Sequence, residues 1–322
     1  MQAGADRRAL IVAGPTCSGK SALALTIAER LGGAVINADS MQVYRELRIV
    51  TARPSAEEEA RAPHLLYGVR PASQPCNVAW WRTEALSVME TAHARGLLPI
   101  LCGGTGMYLA ALTHGLAAIP DPGPGARAEA RALLAELGPA ALHARLAAVD
   151  PETASGLRSG DSQRIARAYE VWRGTGVGLA AWQAKAPDTP ANWSFRTVLL
   201  DPPRPSLREA IAARFAAMLR AGALEEVRAL MALDLDPALP AMRAHGVPEL
   251  SSHLRGEIGL EEATERAISS SGRYTKKQAT WFRHQPLTLE ADQFKINSRI
   301  SNSTQLSETL TGGLLNFIET GG

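Results

Sequence analysis

Eight consecutive residues near the N-terminus, Gly14-Pro15-Thr16-Cys17-Ser18-Gly19-Lys20-Ser21, fit the pattern G-x-x-x-x-G-K-[ST]. In that spacing, glycines let backbone N–H groups turn inward around phosphate oxygens. A helix opening at the end of the loop adds its partial positive charge. Lys20 supplies a full charge, and the Ser21 hydroxyl can hold a Mg²⁺ ion that bridges phosphates. An apolar run, Ala9 to Ala13, precedes the loop, and helical spacing of Leu23, Ile27 and Leu31 follows it. This strand–loop–helix context turns the pattern into a site for a di- or triphosphate. It leaves open which phosphate is bound and what is done with it.

A phosphate-hydrolysing motor or switch places an acidic residue at the end of a second apolar strand. Here the best such strand, Leu98 to Cys102, ends in Gly103-Gly104-Thr105-Gly106 with no acid. The acid is Asp39, after the apolar run Ala34 to Ala38. In a parallel sheet the C-terminal ends of the strands share one edge, so Asp39 and Thr105 are predicted near Lys20. A carboxylate beside a diphosphate cradle can take a proton from a nucleophile while the cradle stabilises a leaving diphosphate. Asp39 also fits a helix N-cap or an outer-sphere partner of Mg²⁺, and Thr105 fits a cap of the helix Met107 to Leu112.

The elements that position these residues alternate. Strands are predicted at Ala9–Ala13, Ala34–Ala38 and Leu97–Cys102, with helices at Ser21–Leu31 and Val78–Arg95. That order implies a parallel sheet flanked by helices. After Gly115 comes a Pro- and Gly-rich linker, Ile119 to Gly125. An Ala-, Leu- and Arg-rich helical stretch then runs to about Lys185, followed by a loop over Ala186–Asn192 and a strand at Phe195–Leu200. Helices follow at Ser206–Leu233 and Leu260–Phe282. The fold class is α/β, a P-loop NTPase-like parallel sheet core with an inserted all-helical domain. The predicted organisation is a core over 1–117, a helical insertion over 118–192, a second core part over 193–285, and a weakly ordered polar tail over 286–322.

Composition sets limits. Thirty-four Lys and Arg against 32 Asp and Glu leave a formal charge of +2, so only local clusters can speak for nucleic acid. Cys17, Cys76 and Cys102 are odd in number and lack metal-ligand spacing, as in a reduced, cytoplasmic protein. No apolar run approaches the roughly 18 residues of a membrane span. Met1 to Leu10 reads as the approach to a first strand rather than a signal peptide. His64, His93, His114, His143 and His253 are scattered and receive no role.

Beyond the phosphate loop, several segments carry a more specific likeness. Asp39-Ser40-Met41-Gln42-Val43-Tyr44-Arg45 resembles the D-S-x-Q-x-Y-R segment of bacterial tRNA dimethylallyltransferases, also called tRNA isopentenyltransferases. Thr51-Ala52-Arg53-Pro54 is similar to their T-A-K-P, and Gly103-Gly104-Thr105-Gly106-Met107-Tyr108 to their G-G-T-G-x-Y. Asp161 to Val171 resembles D-x-Q-R-x-x-R-A-x-E-V, and Arg214-Phe215 with Met218-Leu219, Gly222 and Glu226-Val227 is similar to a further segment. Lys276 to Arg283 resembles K-R-Q-x-T-W-x-R. The matches occur in family order from Gly14 to Arg283. The chain departs from the pattern at Glu46 and Val50, where glycines are common, at Val247, where Tyr is usual, and at His245.

The resemblance implies dimethylallyl diphosphate as donor, Mg²⁺ as cofactor, and N6 of an adenosine beside the anticodon (position 37) of tRNA as acceptor. It implies Asp39, Thr105 and Lys20 as catalytic residues. Gly14 to Ser21 with Arg214 would hold the diphosphate. The anticodon stem-loop would meet Asp39, Ser40, Met41, Gln42, Thr105, Arg127, Gln163, Arg164, Arg167, Arg243, Gly246, Lys276, Lys277 and Arg283. The implied protein is a cytoplasmic monomer without a membrane. An adenine stacked in a loop must be extruded to reach a recessed site. Ser40 and Gln42 can read its edge or serve as turn residues. Trp281 is expected in the core and the lysines beside it at phosphate. Three rivals remain from the residues alone: an adenylate isopentenyltransferase acting on free nucleotide, a P-loop small-molecule kinase, and an RNA-binding protein with a relict P-loop.

Overall fold

The computed structural model describes residues 7–185, 190–300 and 308–320. Six parallel strands lie in the order β3-β2-β4-β1-β5-β6. They are β1 (Arg8–Ala13), β2 (Gly33–Asn37), β3 (His64–Leu65), β4 (Leu98–Gly103), β5 (Ser194–Leu200) and β6 (Gln293–Ile296). Residues alternate between two cores, as the pleat requires. Ile11, Ile36, Leu101 and Leu199 face one. Leu10, Val12, Val35, Ile100 and Val198 face the other. Burial on both faces explains why these strands read as continuous apolar runs.

The helices of this unit are α1 (Lys20–Leu31), α2 (Ala56–Arg61), α3 (Val78–Ala94) and α4 (Gly106–Thr113). Four more belong to the helical unit and are described with it below: α5 (Gly123–Val149), α6 (Pro151–Ser155), α7 (Ser162–Thr175) and α8 (Leu179–Ala184). The chain then returns to the sheet unit with α9 (Arg204–Arg220), α10 (Ala223–Met231), α11 (Val247–Leu254), α12 (Leu260–His284) and α13 (Glu308–Glu319). The single helix expected over Ser206–Leu233 is two, because Gly222 takes the left-handed conformation, φ 101°, and turns the chain between α9 and α10.

Contacts divide the chain into two compact units, Met1–His114 with Ala191–Gly322, and Gly115–Pro190. The second is all helical and has its own core, in which Ala130, Leu142 and Leu146 meet Ile165 and Ala168. Its α5 has the length and mean hydropathy of a membrane span although charged residues interrupt every apolar run in it, so the sequence shows no continuous one. It is broken at Gly138, φ 74°, before Pro139. The loop expected over Ala186–Asn192 lies partly outside the described residues, as do the first six residues of the chain.

The segment after Gln285, expected to be weakly ordered, supplies β6, which pairs with β5 from Thr197↔Gln293 to Leu200↔Ile296. Leu314 and Ile318 of α13 are buried in the core that holds Leu10 and Val12. A four-residue strand among polar neighbours gives little periodic signal, which is why its sequence reads as tail. Its burial carries a testable consequence. Leu314 is 2% exposed, so Leu314→Ala is expected to destabilise the protein by about 2–5 kcal/mol in urea unfolding. An unchanged midpoint would mean that α13 does not pack there.

Candidate active site

Three loops meet at the C-terminal edge of the sheet, and each follows a strand that fixes its start. The first is the phosphate loop between β1 and α1. Cys17 has φ 64° and Gly19 has φ 95°, the left-handed turns that wind a backbone into a cradle. Ser18 is fully buried, and its hydroxyl has no hydrogen-bond partner. Lys20 opens α1 and its Nζ donates to Pro15 O at 3.4 Å. Burial pushes the Lys20 ammonium down from its ordinary value, against the attraction of Cys102 and Asp39, while Arg214 adds to the depression. Arg214, from α9, donates to Thr51 O at 3.2 Å and reaches Cys17 Sγ at 3.8 Å. The Ser21 hydroxyl lies beside the Cys102 thiol.

The back of this loop is covered by a segment that follows the last matched motif, Lys276 to Arg283. Ile300 N donates to Ser18 O at 3.1 Å, and Arg299 Nε donates to Cys17 O at 3.0 Å. A Cβ on Gly19 would overlap the Ile300 carbonyl.

The second loop leaves β2. Asn37 is fully buried and fixes the backbone of Asp39 from both sides. Asp39 N donates to Asn37 Oδ1 at 2.8 Å, and Asn37 Nδ2 donates to Asp39 O at 3.0 Å. Trp81 Nε1 donates to Asn37 O at 2.8 Å and locks the pair to α3. The Asp39 carboxylate accepts from Met41 N at 2.9 Å, so its side chain is oriented by its own turn. It caps no helix.

The third loop leaves β4. Thr105 stands at the first position before α4, but its side chain does not cap that helix. Its Oγ1 instead accepts from Ser40 N at 3.0 Å, and its backbone N donates to Ala38 O at 3.2 Å. Gly103 permits this approach, since a Cβ there would overlap Ala38. Asp39 and Thr105 are therefore neighbours, as the shared strand edge predicts.

Gln42 uses its amide nitrogen on Thr51 O and Ala52 O, at 2.8 and 2.9 Å. This favours its reading as a turn residue that holds the Thr51-Ala52-Arg53-Pro54 segment. The same segment is anchored by Glu226 of α10, whose carboxylate accepts from the backbone N of Arg48, Ile49 and Val50 at 2.7–2.9 Å. In sequence Glu226 falls in a matched segment without a role, because its partners lie 176–178 residues away.

From α12, Lys276, Lys277 and Arg283 are exposed, and so is Arg243. Gly246 has φ 97° and leads into α11. Trp281 is half-buried rather than fully in the core, and it covers Gly106, where a Cβ would overlap its ring. Two further residues of α12 stand at the site: Tyr274, whose place among interleaved cations and aromatics fits an RNA surface or the core alike, and Gln278, to which spacing assigns no role. The Tyr274 hydroxyl lies against Thr105 and Gln278, and burial pushes it up to about 12. Gln278, 4% exposed, binds both Thr16 and Gly104. Both sit within or beside the Lys276–Arg283 likeness, which flags the stretch but not their partners.

The helical unit holds Arg127, Gln163, Arg164 and Arg167. Arg127 pairs with Asp121, and Arg167 with Glu170 at 2.6 Å. Arg167 also lies near enough to Asp121 to help hold its carboxyl down, after the Gly123 N–H and Arg127. Arg164, with its side chain 75% exposed, pairs at 3.5 Å with Asp161, and Gln163 beside it is exposed. Among the described residues no cluster of three or more His, Cys, Asp or Glu is placed to hold a metal.

Known proteins resemble this chain throughout. The family model described as IPP transferase matches residues 42–285, and that described as isopentenyl transferase matches residues 7–67. The tRNA dimethylallyltransferase of Granulibacter bethesdensis is 62% identical over 97% of this chain and 98% of its own. That of Gluconobacter oxydans is 61% identical over 97% and 94%. The full-length tRNA isopentenylpyrophosphate transferase of Bacillus halodurans superposes with a TM-score of 0.68 at 29% identity, covering 98% of both chains. A eukaryotic dimethylallyltransferase acting on tRNA shares the fold, with a TM-score of 0.81 at 24% identity over 98% of this chain and 81% of that one.

The site also contains a titratable group at which the family pattern is broken. His245 Nδ1 lies 3.0 Å from Ser270 Oγ, and its ring packs on Tyr274 with centroids 4.7 Å apart. Burial lowers its pKa below the ordinary 6.5; Glu249 and Asp39 oppose that shift, and Arg273 and Lys277 reinforce it. With the folded value below the unfolded one, the unfolded chain takes up the proton first as pH falls. The neutral ring thus contributes stability that is full above about pH 6.5 and is lost as pH falls toward the folded value. Urea midpoints measured from pH 7.5 to 5 should fall less for His245→Asn than for the parent. Parallel curves would contradict this.

Proposed function

Because the chain belongs to the tRNA dimethylallyltransferase family, we propose that it moves the dimethylallyl group of dimethylallyl diphosphate to N6 of the adenosine at position 37 of tRNA, releasing diphosphate. The observation that carries this reading is the meeting of the phosphate loop with Asp39 and Thr105 at one sheet edge. A cradle with a lysine suits the leaving group, and a carboxylate with a hydroxyl suits the acceptor.

Adenine N6 is a poor nucleophile, since its lone pair is delocalised into the ring. It needs positioning and proton removal. Asp39 is the general base toward N6–H, its carboxylate pre-oriented by the Met41 N–H. Thr105 stands beside it and steers the substrate near the reacting carbon. Lys20 and the loop amides take the charge that grows on the departing diphosphate. Arg214 adds a second cation from α9. Burial disfavours the Lys20 ammonium, and the negative charge of a bound diphosphate favours it.

The residues present also fit Mg²⁺. The Ser18 hydroxyl is buried in the cradle without a partner, as expected of a group that meets a phosphate oxygen. Ser21 offers a hard oxygen, with diphosphate and water oxygens to complete the shell, which is how Mg²⁺ is usually held. Ser21 would hold the ion, and a bound Mg²⁺ would offset charge on the leaving group.

The acceptor is the anticodon stem-loop. Its adenine is extruded toward Asp39, Ser40 and Met41. Exposed Lys276, Lys277, Arg283 and Arg243 are the phosphate contacts of the sheet unit, and Arg127, Gln163, Arg164 and Arg167 those of the helical unit. The protein acts as a monomer in the cytoplasm. A free-nucleotide enzyme would need no such second set of cations.

Purified protein, Mg²⁺, labelled dimethylallyl diphosphate and unmodified tRNA should give label at N6 of the anticodon-loop adenosine and none on AMP. Asp39→Ala should lower kcat by about 10²–10⁴-fold. Label on AMP alone would point to the free-nucleotide enzyme, and transfer of a phosphate from ATP to a small molecule to a kinase.

A further inference from the structure

The donor cradle and the acceptor loop arise from different strands, and transfer requires their relative placement to be fixed. One side chain joins them. Gln278 Oε1 accepts from Thr16 N at 2.9 Å and from Thr16 Oγ1 at 3.0 Å. Its Nε2 donates to Gly104 O at 3.0 Å. The residue after Gly104 is Thr105, whose hydroxyl holds Ser40 next to Asp39. A Cβ on Gly104 would overlap the Gln278 amide and press on the Gly14 carbonyl, so the three backbones are packed to contact around this side chain. Gln278 is 4% exposed and so is screened from substrate.

On the reading given above, we infer that Gln278 is a positioning residue, which sets the separation between the allylic carbon held over the phosphate loop and the adenine N6 held by the Asp39–Thr105 loop. The amide is specifically suited to this task. One end must accept from the phosphate loop and the other must donate to the Gly104 carbonyl. An ionised carboxylate can do only the first, and a thioether accepts weakly and donates nothing. A misplacement of about 1 Å between reacting atoms costs on the order of 10²-fold in rate.

A loosened clamp has a specific chemical signature. In both transfer and solvolysis the C1–O bond breaks with its electron pair left on diphosphate. The new bond at C1 comes from N6 in transfer and from a water oxygen in solvolysis. A proton leaves the attacking atom in each case. Solvolysis yields dimethylallyl alcohol. The ratio of alcohol to prenylated tRNA is a property of each turnover, so a reduced folded fraction does not change it.

The test uses the full chain with Mg²⁺, labelled dimethylallyl diphosphate and tRNA. Gln278→Met and Gln278→Glu are compared with the parent, with inorganic diphosphate and tRNA affinities measured separately. The expected result is a kcat lower by about 10–100-fold, affinities for both ligands within about threefold, and a ratio shifted at least about tenfold toward alcohol. Thr16→Val, which removes one of the two bonds to Oε1, should shift the ratio less. Two results overturn the inference: either variant transferring with parental kcat and ratio, or a loss confined to the affinity of one ligand with the ratio unchanged. Absence of transfer by the parent chain would instead overturn the function proposed above, so the two failures are separable.

Discussion

The backbone of Ala38 lies directly against Gly103, and the rest of the site depends on that approach. Ala38 N donates to Cys102 O at 2.9 Å, and Thr105 N donates to Ala38 O at 3.2 Å. The exits of β2 and β4 are therefore bonded together, with no room for a side chain at Gly103. Everything that gives Asp39 and Thr105 a common location follows from this pairing. The adjacent β1 carries the phosphate loop to the same edge, and its register with β4, Ala13↔Gly103, sets the loop beside Gly104. A parallel sheet thus does the work of bringing a cation-lined cradle and an oriented carboxylate together.

Much of this was legible from the chain. Strands buried on both faces are written as apolar runs, so β1, β2, β4 and β5 could be placed to within a residue or so. The phosphate loop is local, and all its chemistry lies in eight adjacent residues. The joint location of Asp39 and Thr105 followed from the strand-edge rule. What could not be read was non-local or weakly periodic. β3 has two residues and β6 four, too few for an alternation to show. Gly222 falls within the one helix expected over Ser206–Leu233, and only its positive φ makes it the break.

Polar positioning residues were the largest gap. Gln278, Glu226 and Asn37 each hold backbone groups, and a side chain's backbone partners leave no mark on sequence spacing. Gln278 and Glu226 lay inside segments matched to the family. The likeness marked their importance, while the hydrogen bonds gave their work. Gln42 shows the reverse case. Its place beside Asp39 fits base reading and turn bonding alike, and its amide nitrogen bonds the Thr51 and Ala52 carbonyls, which favours the second.

Acceptor placement depends on the backbone approach of β2 to β4, whereas diphosphate binding rests on the cradle carried by β1. Gly103→Ala separates the two when transfer to tRNA and binding of inorganic diphosphate are measured side by side. The added methyl should push Ala38 and hence Asp39 away, removing most transfer while diphosphate binding stays within about threefold, since only the acceptor loop loses its near-attack placement. Transfer at the parental rate in a variant that binds diphosphate normally would contradict it.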